Sequence, residues 1–231
     1  MPILLNIDTA TEHASVCLSK DETILGMIES TEQKNHASFV QPAIQQLLAE
    51  SGLVLSQIDA VAATSGPGSY TGLRVGMASA KGVCYAMQKP LILINTLEVM
   101  ARAVMADYNT SEQTLDPATL LCPLIDARRM EVFTATYSIS LGEKEAPHAL
   151  IIDEQAFDPL LRDHKVVFSG SGHQKLKGVV SSPNAAFSTV QHNASHLVPS
   201  AIIAYQSKHF ADLAYSEPLY VKEFFDTGKK A

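Results

Sequence analysis

Positive charge is scarce in this 231-residue chain: 17 Lys and Arg stand against 24 Asp and Glu, a formal net charge of −7. Phosphate contacts need clustered cations, so the balance argues against binding nucleic acid unaided. Cysteine is nearly absent, with Cys17, Cys84 and Cys122 far apart and odd in number. They form neither a disulfide framework nor a metal spacing, which sets the expectation of a reducing cytoplasm and of small, buried, apolar thiols. No apolar run is long enough to span a membrane. The opening Met-Pro-Ile-Leu-Leu-Asn-Ile-Asp has no basic segment and reaches an acid too soon for a secretory leader. Catalytic signatures are missing too. There is no G-x-S-x-G elbow. No Gly-Lys-Ser/Thr follows the Gly-rich turn, because the next Lys is Lys81. Gly66, Gly68 and Gly72 are one residue too widely spaced for G-x-G-x-x-G.

What the chain does have is an ordinary globular composition, 46% apolar and 18% charged. Residues 3–7 form a continuous apolar run ending at Asp8, the pattern of a buried strand. Residues 15–19 and 23–30 alternate as two further strands. Phe39, Val40, Ala43, Ile44, Leu47 and Leu48 recur at helical spacing before Ser51-Gly52. Pro42 falls inside that pattern, near its start or at a kink. Residues 58–64 predict a strand, 71–87 a helix, 91–94 a strand, and Asn95 or Thr96 caps a helix reaching about Tyr108. Residues 109–117 are polar and without period, a linker pattern. Then the opening recurs. An apolar run from Leu120 ends at Asp126, a turn follows, and residues 130–138 alternate as a returning strand. Strand, Asp, turn, strand occurs once in each half, which predicts two similarly built lobes. Further expectations are a strand over 149–152, a helix over 154–162, a strand over 166–169, a second Gly turn at Gly170-Ser171-Gly172-His173, and a last helix over 195–213.

The central stretch is Ser65-Gly66-Pro67-Gly68-Ser69-Tyr70-Thr71-Gly72-Leu73-Arg74-Val75-Gly76. Strand, tight turn and helix present backbone N–H groups to an anion, so a phosphate cradle is one reading. A Gly-rich turn that lets a helix pack tightly is the other. Gly72, Gly76 and Ala80 share one helix face, and glycine there costs roughly 1 kcal/mol against alanine, so a close backbone contact, within the domain or across subunits, is expected. Asp8 and Asp126 are the best-placed acids, fit either to hold a metal–nucleotide complex or to cap the turns after their strands. His36 has Val40 four residues on and so no second ligand; it is expected as a cap or surface residue. His192 and His196 have ligand spacing without a third ligand, and no metal is expected.

The three segments Ile7-Asp8-Thr9-Ala10-Thr11, Ser65 to Gly76, and Asp126-Ala127-Arg128-Arg129-Met130-Glu131-Val132 resemble the bacterial TsaB (YeaZ) family. The likeness covers roughly residues 1–140. The tail is similar to the family's Pro-x-Tyr-x-Arg ending, with Lys222 in place of Arg. The resemblance implies an actin-like, Hsp70-like (ASKHA) two-lobed α/β fold, with lobes at 1–108 and 116–231 and the last helix and tail returning to the first lobe. It implies a pseudo-enzyme, a cytoplasmic partner of a TsaD-like catalytic subunit that transfers threonylcarbamoyl to N6 of the adenosine beside the anticodon. That subunit carries His-x-x-x-His; here Val40 stands where the second His would be. A TsaE-like ATPase joins the pair, tRNA enters only through the complex, and the chain alone self-associates. No catalytic residue and no cofactor of its own are implied, with ATP or ADP left to the complex and Asp8, Thr9 and Asp126 as the nucleotide-loop candidates. The partner face implied is His36, Phe39, Val40, Ala43 and Leu47 with Arg74, Gly76, Met77, Ala80, Val83 and Met87. On that basis Gly76→Leu is expected to disrupt pairing without unfolding the monomer. The competing readings are an autonomous ATP-binding phosphotransferase of the same fold and a metal glycoprotease.

Overall fold

A computed structural model of the chain describes residues 1–31, 36–111 and 114–222. The chain opens as an antiparallel meander: β1 (Ile3–Asp8), β2 (Ala14–Lys20) and β3 (Thr23–Ser30). Helix α1 (His36–Ser51) follows, with Pro42 in its second turn and Gly52, at φ 66°, closing it. Next come β4 (Ala60–Gly66), α2 (Tyr70–Met87), β5 (Leu91–Asn95) and α3 (Thr96–Thr110). The Asn95 side chain caps α3 by accepting from Leu97 N at 2.8 Å. The first sheet therefore has the order β3-β2-β1-β4-β5, its last two pairings parallel.

The second half repeats it. Strands β6 (Leu120–Asp126), β7 (Glu131–Ser138) and β8 (Glu143–Ile151) form the meander. Helix α4 (Asp158–Asp163), β9 (Val166–Ser169), α5 (His173–Leu176) and β10 (Ala185–Phe187) complete it. The order β10-β9-β6-β7-β8 is the first sheet's order written for the second set, with β9 parallel to both neighbours. Two mixed five-stranded sheets of one topology are the two-lobed α/β fold of actin-like type.

Burial explains the continuous apolar runs. Successive strand residues face opposite sides, and both sides of the first sheet are covered. Leu5, Ile7, Val61 and Ala63 pack with Val40, Ala43, Leu47 and Ala80 of α1 and α2. Leu4, Ala60 and Ala62 pack on the opposite side with Ala194, Leu197, Val198 and Ala201. Those last residues come from a 3-10 turn (Ala194–Leu197) and α6 (Val198–Gln206), so the end of the chain roofs the first lobe. Helix α3 stands between the lobes: Val99 belongs to the first lobe's core, while Leu97, Met100, Ala101 and Val104 pack on Leu121, Ile125, Ala135 and Val167 of the second.

Some boundaries differ from expectation. The last helix stops at Gln206, where Lys208 takes a φ of 56° and the backbone leaves the helical path. Helix α4 starts only at Asp158, with Pro159 in its first turn, where a missing N–H is harmless. Helix α3 runs on to Thr110, into the stretch expected as linker. Strand β10 carried no sequence signal because it is three residues long. Residues 223–231, assigned to the second lobe, lie outside the described residues.

Candidate functional site

The two strand-end acids occupy matching places and different environments. Asp8 is fully buried. Its Oδ1 accepts from Ala10 N and from Thr64 Oγ1, each at 3.1 Å. Its Oδ2 faces Nε2 of buried His192 at 3.3 Å, outside good hydrogen-bond geometry, and neither atom has another hydrogen-bond partner. His192 arrives on the segment that returns from the second lobe, fixed beside it by Ala194 N donating to Ser15 Oγ at 2.8 Å. Thus Asp8 caps its own turn, one of its two expected roles, and also faces a distant segment that the sequence did not lead one to expect there.

Two more histidines stand in this neighbourhood. His36, expected at the surface, is buried at 6% exposure with Nε2 unpartnered. Burial pushes its pKa below the ordinary value, against the opposing pull of Asp8. His196 accepts from Asn193 N through Nδ1 at 3.0 Å. Burial, then the nearby His192, push its pKa down as well. Among the described residues no group of three or more His, Cys, Asp or Glu is arranged to hold a metal ion. The i, i+4 spacing of His192 and His196 thus places one imidazole on Asp8 and the other on its own loop.

Asp126 is 45% exposed at its side chain and lies 2.6 Å from Lys175 Nζ. It also accepts from Arg128 N at 2.6 Å. Partial burial works against its ionisation, but the hydrogen bonds from Lys175 and Arg128 N outweigh it and hold the carboxyl below its ordinary value. Both lobes therefore end their first strand in an acid already engaged by a basic side chain of the same chain.

The Gly-rich turn is filled from within. Ser69 N donates to Ala10 O at 2.7 Å, and Gly72 N donates to the Ser69 side chain that caps α2. Thr9 Oγ1 donates to Gly72 O at 2.7 Å. A Cβ on Gly68 would lie 2.3 Å from Ala10 O, and one on Gly72 2.1 Å from Thr9 O. The loop after β1 thus lies where a phosphate cradle would have to open, and the glycines permit that close approach. Gly76 continues the same contact: its Cβ would meet Thr9 Oγ1 at 2.3 Å. The expectation that Gly76→Leu spares the monomer is corrected here, because the added side chain would strike the chain's own β1 loop.

The same correction reaches much of the predicted partner face. Val40, Ala43, Leu47, Ala80 and Val83 lie in the first lobe's core, Met77 is 4% exposed and Gly76 is buried. A side chain with no accessible surface offers a partner nothing. Phe39 and Met87 are half-buried against the same core, and of the eleven named positions only Arg74 is exposed. The outward faces of these helices carry instead Gln41, Gln45, Ala78, Gly82 and Tyr85, the last 79% exposed. Periodicity located the apolar stripe correctly; it could not say whether that stripe met the chain's own sheet or another protein.

Periodicity and spacing did not show the tail's path, for which only the resemblance implied a return to the first lobe. Lys81 Nζ donates to Ser216 O at 2.6 Å, Leu219 N to Ser65 O at 2.7 Å, and Arg74 Nε to Tyr220 Oη at 3.1 Å. Lys222 reaches Glu131 of the second lobe at 2.5 Å. Between α2 and this tail lies a cavity of about 330 Å³ lined by Arg74, Met77, Lys81, Glu217, Pro218 and Tyr220, among others. No helix among the described residues is long and apolar enough to cross a membrane.

Comparison with known proteins agrees with this architecture. The sequence model of the family described as TsaD, tRNA N6-adenosine threonylcarbamoyltransferase, matches residues 14–217. The tRNA threonylcarbamoyladenosine biosynthesis protein TsaB of Haemophilus influenzae is 30% identical over 233 residues, covering 95% of this chain and 93% of the relative. Its Bacillus subtilis namesake is 27% identical over 82% of each chain. The structure of YeaZ from Pseudomonas aeruginosa superposes with a TM-score of 0.79 at 26% identity, over 95% of this chain and all of the other. With the motifs, the duplicated sheets and the full-length likeness in agreement, the chain belongs to the TsaB (YeaZ) family, within the wider TsaD-type group.

Proposed function

We propose that this chain is a non-catalytic subunit in tRNA threonylcarbamoyladenosine biosynthesis, binding and activating a TsaD-type threonylcarbamoyltransferase. The role in that pathway is supported by the relatives that carry its name. The non-catalytic assignment is supported chiefly by the strand-end acids. A metal–nucleotide complex held between lobes needs carboxylates free to face it, whereas Asp8 is fully buried against His192 and Thr64, and Asp126 is paired with Lys175. The filled Gly turn removes the other anion-binding element. On this reading the chain needs no cofactor of its own. The partner meets the outward faces of α1 and α2 around Tyr85, a TsaE-like ATPase joins the pair, and the same face pairs two copies when the chain is alone.

The test is reconstitution. The purified chain and a TsaD-type protein are expected to co-sediment, and modification of a tRNA transcript is expected only when both are present. Full activity of the TsaD-type protein alone, or failure of the two to associate, overturns the proposal. Titration calorimetry with Mg-ATP addresses the phosphotransferase reading: tight binding by the isolated chain, lost in Asp8→Asn with its fold intact, would replace this proposal with that one.

A further inference from the structure

The turn joining β6 to β7 has two adjacent arginines at its centre. Arg128 and Arg129 are both exposed, and both take positive φ, 69° and 49°. Left-handed backbone suits Gly, Asn or Asp in a hairpin turn; a long branched-headed side chain gains nothing from it. Among the described residues neither guanidinium makes an ion pair or a side-chain hydrogen bond, whereas Arg74 is held by Tyr220 and Arg102 by Glu98. The turn's backbone is tied to Asp126 and Glu131, through Arg128 N and Arg128 O, but neither guanidinium adds a contact that would favour arginine at a left-handed position, the kind of outlier that points to function.

Among the described residues no acidic side chain makes an ion pair with either charge. Asp126 is taken by Lys175 and Glu131 by Lys222. The Asp153 carboxylate, which follows β8 beside the turn, accepts from Gln155 N. Among the described residues this is the one place where two Lys or Arg are adjacent in sequence, in a chain whose net charge is −7. Met130, 45% exposed, is the neighbouring apolar side chain, and no aromatic stands at the tip to stack on a base. Planar guanidinium forks without a stacking platform fit phosphate oxygens rather than base edges. The tail links this turn to the proposed partner face, running from Lys81 past Arg74 to Glu131.

We propose that Arg128 and Arg129 form a phosphate-backbone contact for the tRNA that the assembled complex modifies. The proposal rests on the reading of the chain as a subunit of that complex. One pair of contacts is too little to bind RNA alone, in keeping with the acidic chain; it adds to a site supplied mainly by the partner. The contact positions the RNA and reads no sequence.

The test is steady-state kinetics of the reconstituted complex, with an unmodified tRNA transcript varied at several salt concentrations. The variant is Arg128→Gly/Arg129→Gly, which relieves the left-handed strain, so its melting temperature is expected to be equal or higher. The KM for tRNA is expected to rise roughly tenfold with kcat little changed, and the log–log salt slope to fall in magnitude by about 1.4 to 1.8, the share of two phosphates. Sedimentation with the TsaD-type protein is expected to be unchanged. Unaltered KM and salt slope overturn the proposal while leaving the subunit reading intact. Lost association at an unaltered slope assigns the arginines to an acidic protein surface and overturns it likewise. A wild-type chain that neither binds nor activates its partner overturns both.

Discussion

The two lobes share a sheet and differ in almost everything laid upon it. Strand order, pairing sense and terminal acid are the same in each. So is a glycine of positive φ where the fourth strand ends, Gly66 at 115° and Gly170 at 83°. In both, the turn after that strand donates an N–H toward the first strand's end: Ser69 N to Ala10 O, and Gly172 N to Leu124 O. The helices part company. Helices α1 and α2 have 16 and 18 residues, while α4 and α5 have 6 and 4. A helix of four residues is held by its surroundings rather than by its own hydrogen-bond ladder. The sheet is therefore the repeated scaffold, and the long helices of the first lobe are the addition that creates an outward surface. The acids show the same divergence: Asp8 is a buried structural anchor, and Asp126 is a rim residue.

That contrast can be broken by measurement. The largest effect is expected at the Gly turns. Gly72→Ala should cost about 3 kcal/mol or more in a urea titration, since backbone oxygen of Thr9 lies 2.1 Å from the new Cβ. Gly172→Ala meets Val132 Cγ1 at 2.7 Å, a methyl that can shift, and Leu124 Cβ at 2.8 Å, which is tied to its strand, and should cost roughly 1 to 2 kcal/mol. Equal costs would mean that the two turns are packed alike.

The acids come next. Asp8→Asn leaves a buried site with mismatched partners and should cost about 2 kcal/mol. Asp126→Asn loses a pair exposed to solvent and should cost less than about 1 kcal/mol. A larger loss at Asp126 would reverse the assignment of anchor and rim.

A smaller effect is expected from pH. The folded pKa values of His36 and His196 are lowered, chiefly by burial. The unfolded chain then takes up protons first, near the ordinary histidine pKa of about 6.5, so stability is complete above that value and declines as pH falls toward the folded values. Asp126, also lowered, adds a decline at lower pH, as its carboxylate is protonated below the ordinary Asp pKa of about 3.9. The histidine loss belongs to the first lobe; a melting temperature flat between about pH 7 and pH 5 would remove it.

The smallest change is expected at Gly82. It lies on the outward face of α2 with nothing within 4 Å of a Cβ, so Gly82→Ala should stabilise by about 0.5 to 1 kcal/mol. Opposite signs at Gly72 and Gly82 would show that one helix has a closed face and an open one. A loss at Gly82 would mean that its outer side is already covered.

Much of this was legible in the residues. Apolar runs ending in Asp8 and Asp126 marked the first strand of each lobe, because a strand covered on both faces must be apolar throughout. The returning strands, the Asn95 cap and the Gly52 stop followed from local chemistry that needs only neighbouring residues. The site was less legible. His192 drew attention as half of a metal spacing, yet its partner is Asp8, 184 positions earlier in the chain. Lys175 carried no local mark at all, and the tail's motif did not name Lys81, Arg74 or Glu131 as its contacts. Side-chain pairs across such distances leave no periodicity for a sequence to display.

The sequence by itself determined most of the strands, the long helices, the duplication and the family, since each depends on spacing, composition or ordered motifs. Tertiary structure alone decided which way the small-residue stripe of α2 faced. Gly72, Gly76 and Ala80 are what a tight helix–helix contact between subunits would use, and equally what a helix pressed on its own β1 loop requires. Both contacts ask for the same absence of side chain, so only the position of Thr9 above Gly72 and Gly76 separates them.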